Sequence, residues 1–551
     1  MAPATNLIVF RDVSEKVSGR SLARRLRQAL GSTSDHRECL VSALIIAGQI
    51  ECAISDGAGD SRIEAEALTD LLAGSCIQLH PPDPTQLLPL LARVEGALPD
   101  ELRLSEPEGF AYYVLHPCDF ADAVTSLPEC QSIAVIGIRS IGTTLSAVTR
   151  AALLRLGISA TRITVRPTGH PYDRKTSFAD EQLSWVEGEN RKGSNFIIAD
   201  EGPGLSGSSF LSVAEALEAR GVDAGRIRLI GSHNVNPRAL CATDAARRWE
   251  RYTWQRVDSR IAHSYASHIP LSGGLWRNLF LSSESAWPAC WPEMEGIKFL
   301  SGDRKHFSKF EGLGHHGERA RERASALFDA GFSPPFTDAG QGMSQYEFVI
   351  GPLLAASNVS KEILDQIARY CAYRASEFGA KQQLEPLEEM VGHNLAQVFG
   401  RMLELPSGIY ASRAPVIVDA RMQPHKWVMS KTGKLLKVDG AADGEGHFLP
   451  GPTDIAWDLA GAIVEWNLSR DAEEYLVAEF HKQGGRSSEP QLSFFVLAYT
   501  LFRVSFSQMA LNSTGNQAEK ARLERAVLFY RTKVGEALKR PDLTHSEVLR
   551  S

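Results

Sequence analysis

Two adjacent carboxylates end an apolar run, Phe196-Ile197-Ile198-Ala199-Asp200-Glu201, and a loop of small residues follows at once: Gly202-Pro203-Gly204-Leu205-Ser206-Gly207-Ser208-Ser209. A helical pattern from Ser212 to Arg220 comes next. This order puts Asp200 and Glu201 at the carboxyl end of a buried strand, where open α/β sheets bind ligands. A Gly/Ser loop entering a helix offers backbone N–H groups and hydroxyls with no bulky side chains in the way, which suits a phosphate. The acids would repel that phosphate, so they fit ribose hydroxyls or a metal shell beside it. Taken alone, the segment also fits a strand, turn and helix with no ligand.

A second strand-loop-helix stands upstream, where Ser132–Ile138 runs into Arg139-Ser140-Ile141-Gly142-Thr143-Thr144 and then a helical segment, Leu145 to Leu156. Arg139 can present a charged fork to a diphosphate; Ser140, Gly142, Thr143 and Thr144 allow close backbone approach. Between the two loops, a strand at Arg162–Val165 precedes Arg166-Pro167-Thr168-Gly169-His170-Pro171-Tyr172-Asp173-Arg174-Lys175-Thr176. Breakers and cations make this a mobile loop. It is either a solvated surface loop or a cover for a ligand.

The pair of loops resembles type I phosphoribosyltransferases, whose phosphoribosyl-pyrophosphate (PRPP) motif is an apolar strand, two acids, a few variable residues and a Ser/Thr-Gly turn. Here the spacing from the acids to the turn is one residue longer. The resemblance implies that Ser206, Gly207, Ser208 and Ser209, with Gly204, hold the 5′-phosphate. It implies that Asp200 and Glu201 hold the ribose, that Arg139, Ser140, Gly142 and Thr143 form the pyrophosphate loop, and that Arg174 and Lys175 neutralise the leaving group. His170 or Tyr172 would then contact substrate.

The C-terminal half carries another constellation. Val416-Ile417-Val418-Asp419 is followed by a return strand at Trp427-Val428, then by Leu435-Leu436-Lys437-Val438-Asp439-Gly440 and by Asp454-Ile455-Ala456-Trp457-Asp458-Leu459-Ala460. Acids at the two ends of a hairpin can hold one carboxylate near a hydroxyl and another on Mg²⁺ beside phosphates. A hairpin with solvated acids is the plainer alternative.

This pattern resembles the aminoglycoside-phosphotransferase and choline-kinase family of small-molecule kinases. The resemblance implies Asp419 as catalytic base, Asp439 as magnesium ligand and Asp458 as a brace for the catalytic loop. It extends to an N-lobe: paired strands at Gly296–Leu300 and His306–Phe310, Lys309 on ATP phosphates, a helix Gly317–Ala330 offering Glu318 or Glu322 to that lysine, and a hinge at Tyr346–Gly351. Two departures stand out. The family's magnesium-binding Asn is replaced by Pro424, with His425 next to it, and Ile417 stands where a His is common. Imidazole is a poor ligand for hard Mg²⁺. His425 therefore contacts phosphate or substrate, or ligates a different metal, or marks a kinase-like domain that only binds.

These loops need elements to carry them. Strand and helix patterns alternate from about 130 to 235, which predicts a parallel βαβ sheet. Ser21–Leu30, Arg37–Ser55 and Ala65–Leu72 read as helices, and Phe110–Pro117 as a strand. Five tryptophans, Trp249, Trp254, Trp276, Trp287 and Trp291, fall in one segment that is a hood over a flat ring or a packed layer between domains. The expected fold class is α/β multidomain: a parallel-sheet type I phosphoribosyltransferase fold followed by a bilobal protein-kinase-like α+β fold. The predicted boundaries are 1–105 (helical extension), 106–245 (phosphoribosyltransferase-like), 246–294 (Trp-rich hood or connector) and 295–551 (small-molecule-kinase-like).

At 551 residues with 43% apolar and 23% charged residues and a net charge of −7, the chain has no basic excess for a nucleic-acid partner. Arg20, Arg24, Arg25 and Arg27 form only a local cluster. The apolar stretch Ser42–Ser55 is broken by Gln49, Glu51 and Cys52, and no leader pattern is visible, so neither a membrane span nor a secretory signal is expected. Eight scattered cysteines without a CxxC pair fit reduced thiols and a cytoplasmic location. The whole predicts a bifunctional enzyme using PRPP, ATP and Mg²⁺. One half transfers phosphoribosyl to a nitrogen or carbon nucleophile, a nucleobase-like or other small acceptor, and the other phosphorylates a small-molecule hydroxyl. A homodimer is compatible with this. The alternative is a regulatory PRPP or nucleotide sensor with a degenerate kinase-like domain.

Overall fold

The computed structural model describes residues 7–11, 14–31, 36–57, 61–127, 130–381, 383, 387–486 and 489–544. Near the N-terminus β1 (Ser14–Ser18) pairs antiparallel with β2 (Glu101–Ser105), enclosing four helices. Three match the sequence pattern: Gly19–Gly31, His36–Asp56 and Arg62–Gln78. The fourth, Pro84–Ala97, was hidden by its prolines. Its start is nevertheless well specified, with Asp83 accepting from the Thr85 N–H at 2.9 Å and Pro84 in the first turn.

The next sheet contains β3 (Ser132–Ile138), β4 (Ser159–Val165), β5 (Asn195–Ala199), β6 (Ile227–Gly231) and β7 (Thr253–Arg256), in the spatial order β4-β3-β5-β6-β7, every pair parallel. The chain steps outward from β3 to β4 and then returns to β5, so the topological switch lies between β3 and β5. Side chains alternate across this sheet. Ile133, Val135, Ile197 and Ala199 face a core shared with the N-terminal helices, while Ala134, Ile136, Phe196 and Ile198 face the opposite layer. The helices His36–Asp56 and Arg62–Gln78 thus form part of the sheet's own cover. The expected strand at Phe110–Pro117 is instead a short helix, Glu108–Ala111, and a turn with Val114 at φ +60°. Its exit is set by a tertiary bond, as the Phe110 carbonyl accepts from Leu313 N–H at 2.9 Å.

A second, antiparallel sheet follows: β8 (Ile269–Pro270), β9 (Lys298–Leu300), β10 (His306–Phe310), β11 (Phe336–Asp338) and β12 (Met343–Glu347), ordered β11-β12-β10-β9-β8. The helix Gly314–Asp329 connects β10 to β11. The remaining chain is mostly helical around one large core, with a small hairpin of β13 (Trp427–Met429) and β14 (Leu435–Lys437). Val416 joins only isolated bridges, to Gly379 and Thr453, so the expected first strand of that region is reduced to single contacts.

The halves share packing. Phe299, Phe310, Leu313 and Met343 of the second sheet region belong to the same core as Leu44, Ile45 and Leu145. Tyr112 donates to the Glu445 carbonyl at 3.0 Å, and Arg11 N–H to the His447 carbonyl at 3.0 Å. The tryptophans are divided: Trp249 and Trp254 pack on Phe210, whereas Trp291 packs on Phe10, Phe448 and Phe506. Among the described residues, two helices, His36–Asp56 and Gln491–Ser513, have the length and hydropathy of a membrane span, although Glu51 interrupts the first; both are largely buried against other elements.

Candidate functional site

Asp200 and Glu201 follow β5 and Arg139-Ser140 follow β3, so the switch between these strands brings both loops to one cleft of about 1010 Å³. Asp200 Oδ1 accepts from the Glu201 N–H at 2.9 Å. Burial pushes the Asp200 carboxyl up to about 7, only partly offset by that bond and by Arg166. Glu201 is raised well above the usual carboxylate range by burial, and further by Glu108 and Asp200. A Cβ on Gly109 would lie 3.0 Å from the Glu201 carboxyl, so the glycine lets that side chain lie flat on the helix Glu108–Ala111.

Ser140 has φ +110°, a strained value for a side-chain-bearing residue. It immediately precedes the helix Ile141–Arg155, whose first turn has no acidic residue and whose N-cap lacks a side-chain bond; Thr143 N–H already donates to Ser140 O at 3.3 Å, so the positive end of the helix, rather than a full set of free N–H groups, faces the cleft. Other expected contacts are committed elsewhere. Arg139 lines the cleft, yet its guanidinium donates to Ser55 O at 2.8 Å, Asp56 Oδ1 at 3.1 Å and Thr164 Oγ1 at 3.3 Å. Gly142 serves packing, since a Cβ there would sit 2.6 Å from the Ala199 carbonyl, and Thr143 is fully buried. Gly204 and Ser209 line the cleft. Gly207 is left-handed, φ +71°, against Trp249. Ser206 and Ser208 donate to the Pro171 carbonyl at 2.8 and 2.7 Å, which ties the 166–176 loop onto the Gly/Ser loop. Arg174 and Tyr172 reach the cleft; Lys175 is exposed and pairs with Asp173.

The second centre gathers on Asp439, just after β14. Lys309 of β10 bonds Oδ1, while Lys426 and Lys298 reach Oδ2 at 2.5 and 3.3 Å. Burial alone would raise Asp439, but the three ammonium groups hold it well below the usual carboxylate range. Of the helix carboxylates expected to meet Lys309, Glu318 pairs with His315; a further acid that acts on Lys309 is Glu311, just after β10, which also accepts from Ser344 and Tyr346. Beside this cluster lies an apolar cleft of about 140 Å³ with Leu271, Phe280, Phe348, Val349 and Val428 on its walls. Its rim is the 346–351 segment read as a hinge.

Asp419 differs from the sequence expectation. It is fully enclosed, accepting from the Tyr370 hydroxyl and, at 3.0 Å, from Arg421 N–H, with Lys437 Nζ at 3.1 Å and Arg374 at 3.9 Å. A carboxylate so occupied is not among the residues that line the Asp200 cleft or the apolar cleft beside Asp439. Asp458 accepts from the backbone N–H groups of Asp419 and Ala420 at 2.7 and 2.9 Å, and Ala420 stands at φ +62°. His425 stacks on Trp276 with ring centroids 5.2 Å apart, and burial, then Lys426, keep the imidazole neutral. A neutral imidazole offers nothing to hard Mg²⁺ that an oxygen does not offer better. Oxygen donors suited to Mg²⁺ are present in Asp439 and in Asp443, whose buried Oδ2 has no hydrogen-bond partner. No group of three or more metal-ligating side chains occurs among the described residues, so bound phosphates would have to complete the shell.

A third cavity, about 590 Å³, lies between the two centres and holds residues that the sequence reading passed over: Tyr113, Asp443, His447 and Arg421. The ring nitrogens of His447 are buried and unpartnered. Burial lowers this histidine to about 3, with Arg421 adding to the effect. Nothing in a sequence distinguishes such residues from ordinary loop side chains, because a loop turn and a distant loop meet only in the folded chain.

No protein family and no curated protein matches the sequence. Among solved structures, the chain is similar to choline kinase LicA from Streptococcus pneumoniae at 14% identity, covering 43% of this chain and 89% of that one, with a TM-score of 0.31. A choline/ethanolamine kinase family protein from Mesorhizobium loti gives 14% identity, 46% and 87% coverage and a TM-score of 0.31. Aminoglycoside 2′-phosphotransferase-IIIa, as its GDP complex, gives 10% identity, 45% and 92% coverage and a TM-score of 0.31.

Proposed function

We propose that the chain is a two-centre transferase, with an ATP-dependent phosphotransferase in its C-terminal half and a PRPP-dependent phosphoribosyltransferase in the parallel-sheet half. The observation that carries this reading is the meeting of Lys309, from the antiparallel sheet, with Asp439, from the hairpin, beside an apolar cleft of a size suited to a purine. In that geometry Lys309, Lys298 and Lys426 neutralise nucleotide phosphates, and Asp439 with Asp443 would hold Mg²⁺, which supplies charge neutralisation during phosphoryl transfer. The Asp439 lysines change partner from carboxylate to phosphate when nucleotide enters.

The phosphoribosyl half rests on Asp200 and Glu201 at the switch point, the strained Ser140 and the loop tied by Pro171. There the two acids would hold ribose hydroxyls or Mg²⁺, which would supply charge neutralisation for the departing pyrophosphate, and the first turn of the helix Ile141–Arg155 would face the leaving group. Pyrophosphate release from PRPP, measured with a panel of nucleobases and amines, tests it. Release that disappears in Asp200→Asn is the expected result; no release and no PRPP binding would remove this half of the reading.

A second reading has its own support. The enclosure of Asp419 and the three lysines on Asp439 suit a kinase-like domain that binds nucleotide without turning it over, making the chain a regulatory PRPP or nucleotide sensor. Micromolar binding of PRPP and ATP without turnover on a broad panel of acceptors would favour it.

A further inference from the structure

The 590 Å³ cavity opens on both centres. It shares Tyr113, His233, Trp291, Glu293 and Met294 with the Asp200 cleft, and Lys298, Lys309, Lys426 and Asp439 with the nucleotide cleft. A chain of rings marks the same path: His233 lies 6.4 Å from Tyr113, and Tyr113 lies 5.3 Å from His447. His233 sits against Gly202 beside the acid pair, whereas His447 follows Asp439 and Asp443 on the other side.

The walls state what such a cavity can hold. Asp443 Oδ2, Gln423 Oε1 and both ring nitrogens of His447 are buried without hydrogen-bond partners, four polar atoms that call for a hydroxyl-rich ligand. Arg421 lines the cavity near Asp443, at 3.9 Å, and Arg525 lines it with no ion pair among the described residues. Arginines of this kind suit a phosphate monoester and repel a cationic alcohol.

We propose that this cavity binds a ribosyl 5-phosphate compound as the phosphoryl acceptor, so that the class of product released by phosphoribosyl transfer is the substrate of the phosphotransferase next to it. The proposal rests on the two-centre reading and deepens it. In the step, a ribose hydroxyl oxygen forms a bond to the γ-phosphorus of ATP as the bond to the β,γ-bridging oxygen breaks. The electron pair leaves with ADP, and the hydroxyl proton passes to a non-bridging oxygen of the transferred phosphoryl group and from there to solvent, which leaves Asp443 to its part beside Asp439. Arg421 holds the 5-phosphate and thereby positions the hydroxyl.

The whole chain, supplied with ATP radiolabelled in its γ-phosphate, is offered ribose 5-phosphate, adenosine 5′-monophosphate, ribose, adenosine and choline. The two 5-phosphates are expected to be labelled with kcat/KM at least about tenfold above the others, a preference lost in Arg421→Met. Met294→Trp, which narrows the junction away from the nucleotide, should lower labelling of the 5-phosphates while ATP affinity, read by calorimetry, stays unchanged. Failure of ATP to bind would overturn the underlying phosphotransferase reading. Binding of ATP with transfer only to choline or to unphosphorylated sugars, or with no transfer to either 5-phosphate, would overturn the acceptor assignment alone.

Discussion

Tyr113 and His447 lie 5.3 Å apart, ring to ring, although 334 positions of sequence separate Tyr113 from His447 and each belongs to a different half of the chain. Tyr113 follows the short helix whose Glu108 faces Glu201; His447 follows the hairpin that carries Asp439. The contact ties the environments of two acidic centres into one wall. Both rings line the cavity between the two clefts.

The first concerns pH. Burial raises Asp200 from its ordinary 3.8 to about 7. Because the folded-state value lies above the unfolded one, the stability linked to this proton is fully present below the unfolded value and is lost as pH rises through about 7. Asp200→Asn keeps the shape and removes the charge. The variant should be more stable than the wild type at pH 8, with the difference shrinking to nothing near pH 4, as measured by denaturant melts. Glu66 and Glu106, also raised to about 7 by burial, contribute equally in both proteins and cancel. PRPP affinity should follow the opposite course in the wild type, rising with pH through 7 as Asp200 ionises. A pH-independent difference in stability would refute the assignment of the raised group to Asp200.

Lys309→Met tests the second centre. The change removes the closest ammonium from Asp439 but leaves Lys298 and Lys426 to compensate the buried carboxylate, so the fold should survive. Loss of one charge-assisted phosphate contact costs about 1.5–3 kcal/mol, or roughly a tenfold to hundredfold loss of ATP affinity. Calorimetric titration reads it, and an unchanged affinity would place the nucleotide elsewhere.

The sheet half was legible because its signals are local. Ile133, Ile163, Phe196 and Ile227 open short β-rich runs, and runs of that kind separated by helical patterns force a parallel sheet. Asp200-Glu201 could be placed at a strand end for the same reason. What the sequence did not reveal depended on distant partners. Arg139 reads as a free fork until Asp56, from the end of another helix, occupies it. Asp419 reads as a base until Tyr370, Arg374 and Lys437 close around it. Spacing placed these acids on turns, but spacing carries no information about which side chains fold over them.

Asp458 gives a stability prediction of a different kind. Its carboxylate satisfies two backbone N–H groups, holds Ala420 in a left-handed conformation and lies 3.8 Å from the buried Arg374. Asp458→Ala leaves those two donors without their acceptor and removes the charge 3.8 Å from the guanidinium, and breaking one side of a buried ionic network costs about 3–5 kcal/mol. The loss should appear as a lower denaturation midpoint in the C-terminal half. Asp458→Asn, which keeps one acceptor oxygen, should recover part of it.

Ser140 supplies the last test, because strain and binding can be separated there. A side-chain-bearing residue at φ +110° is held against a conformational cost of order 1–3 kcal/mol, and glycine adopts that region freely. If the turn were shaped only for packing, Ser140→Gly would relieve the strain and gain up to about 1 kcal/mol in stability with no other effect. If the turn is preorganised for an anion at the helix Ile141–Arg155, the same substitution should also loosen it in the absence of ligand, weakening pyrophosphate binding while the melting temperature rises. Opposite signs for stability and affinity in one variant are the expected signature. A gain in both would mean that the strain opposes binding, and the anion site would then have to be sought at the Gly/Ser loop alone.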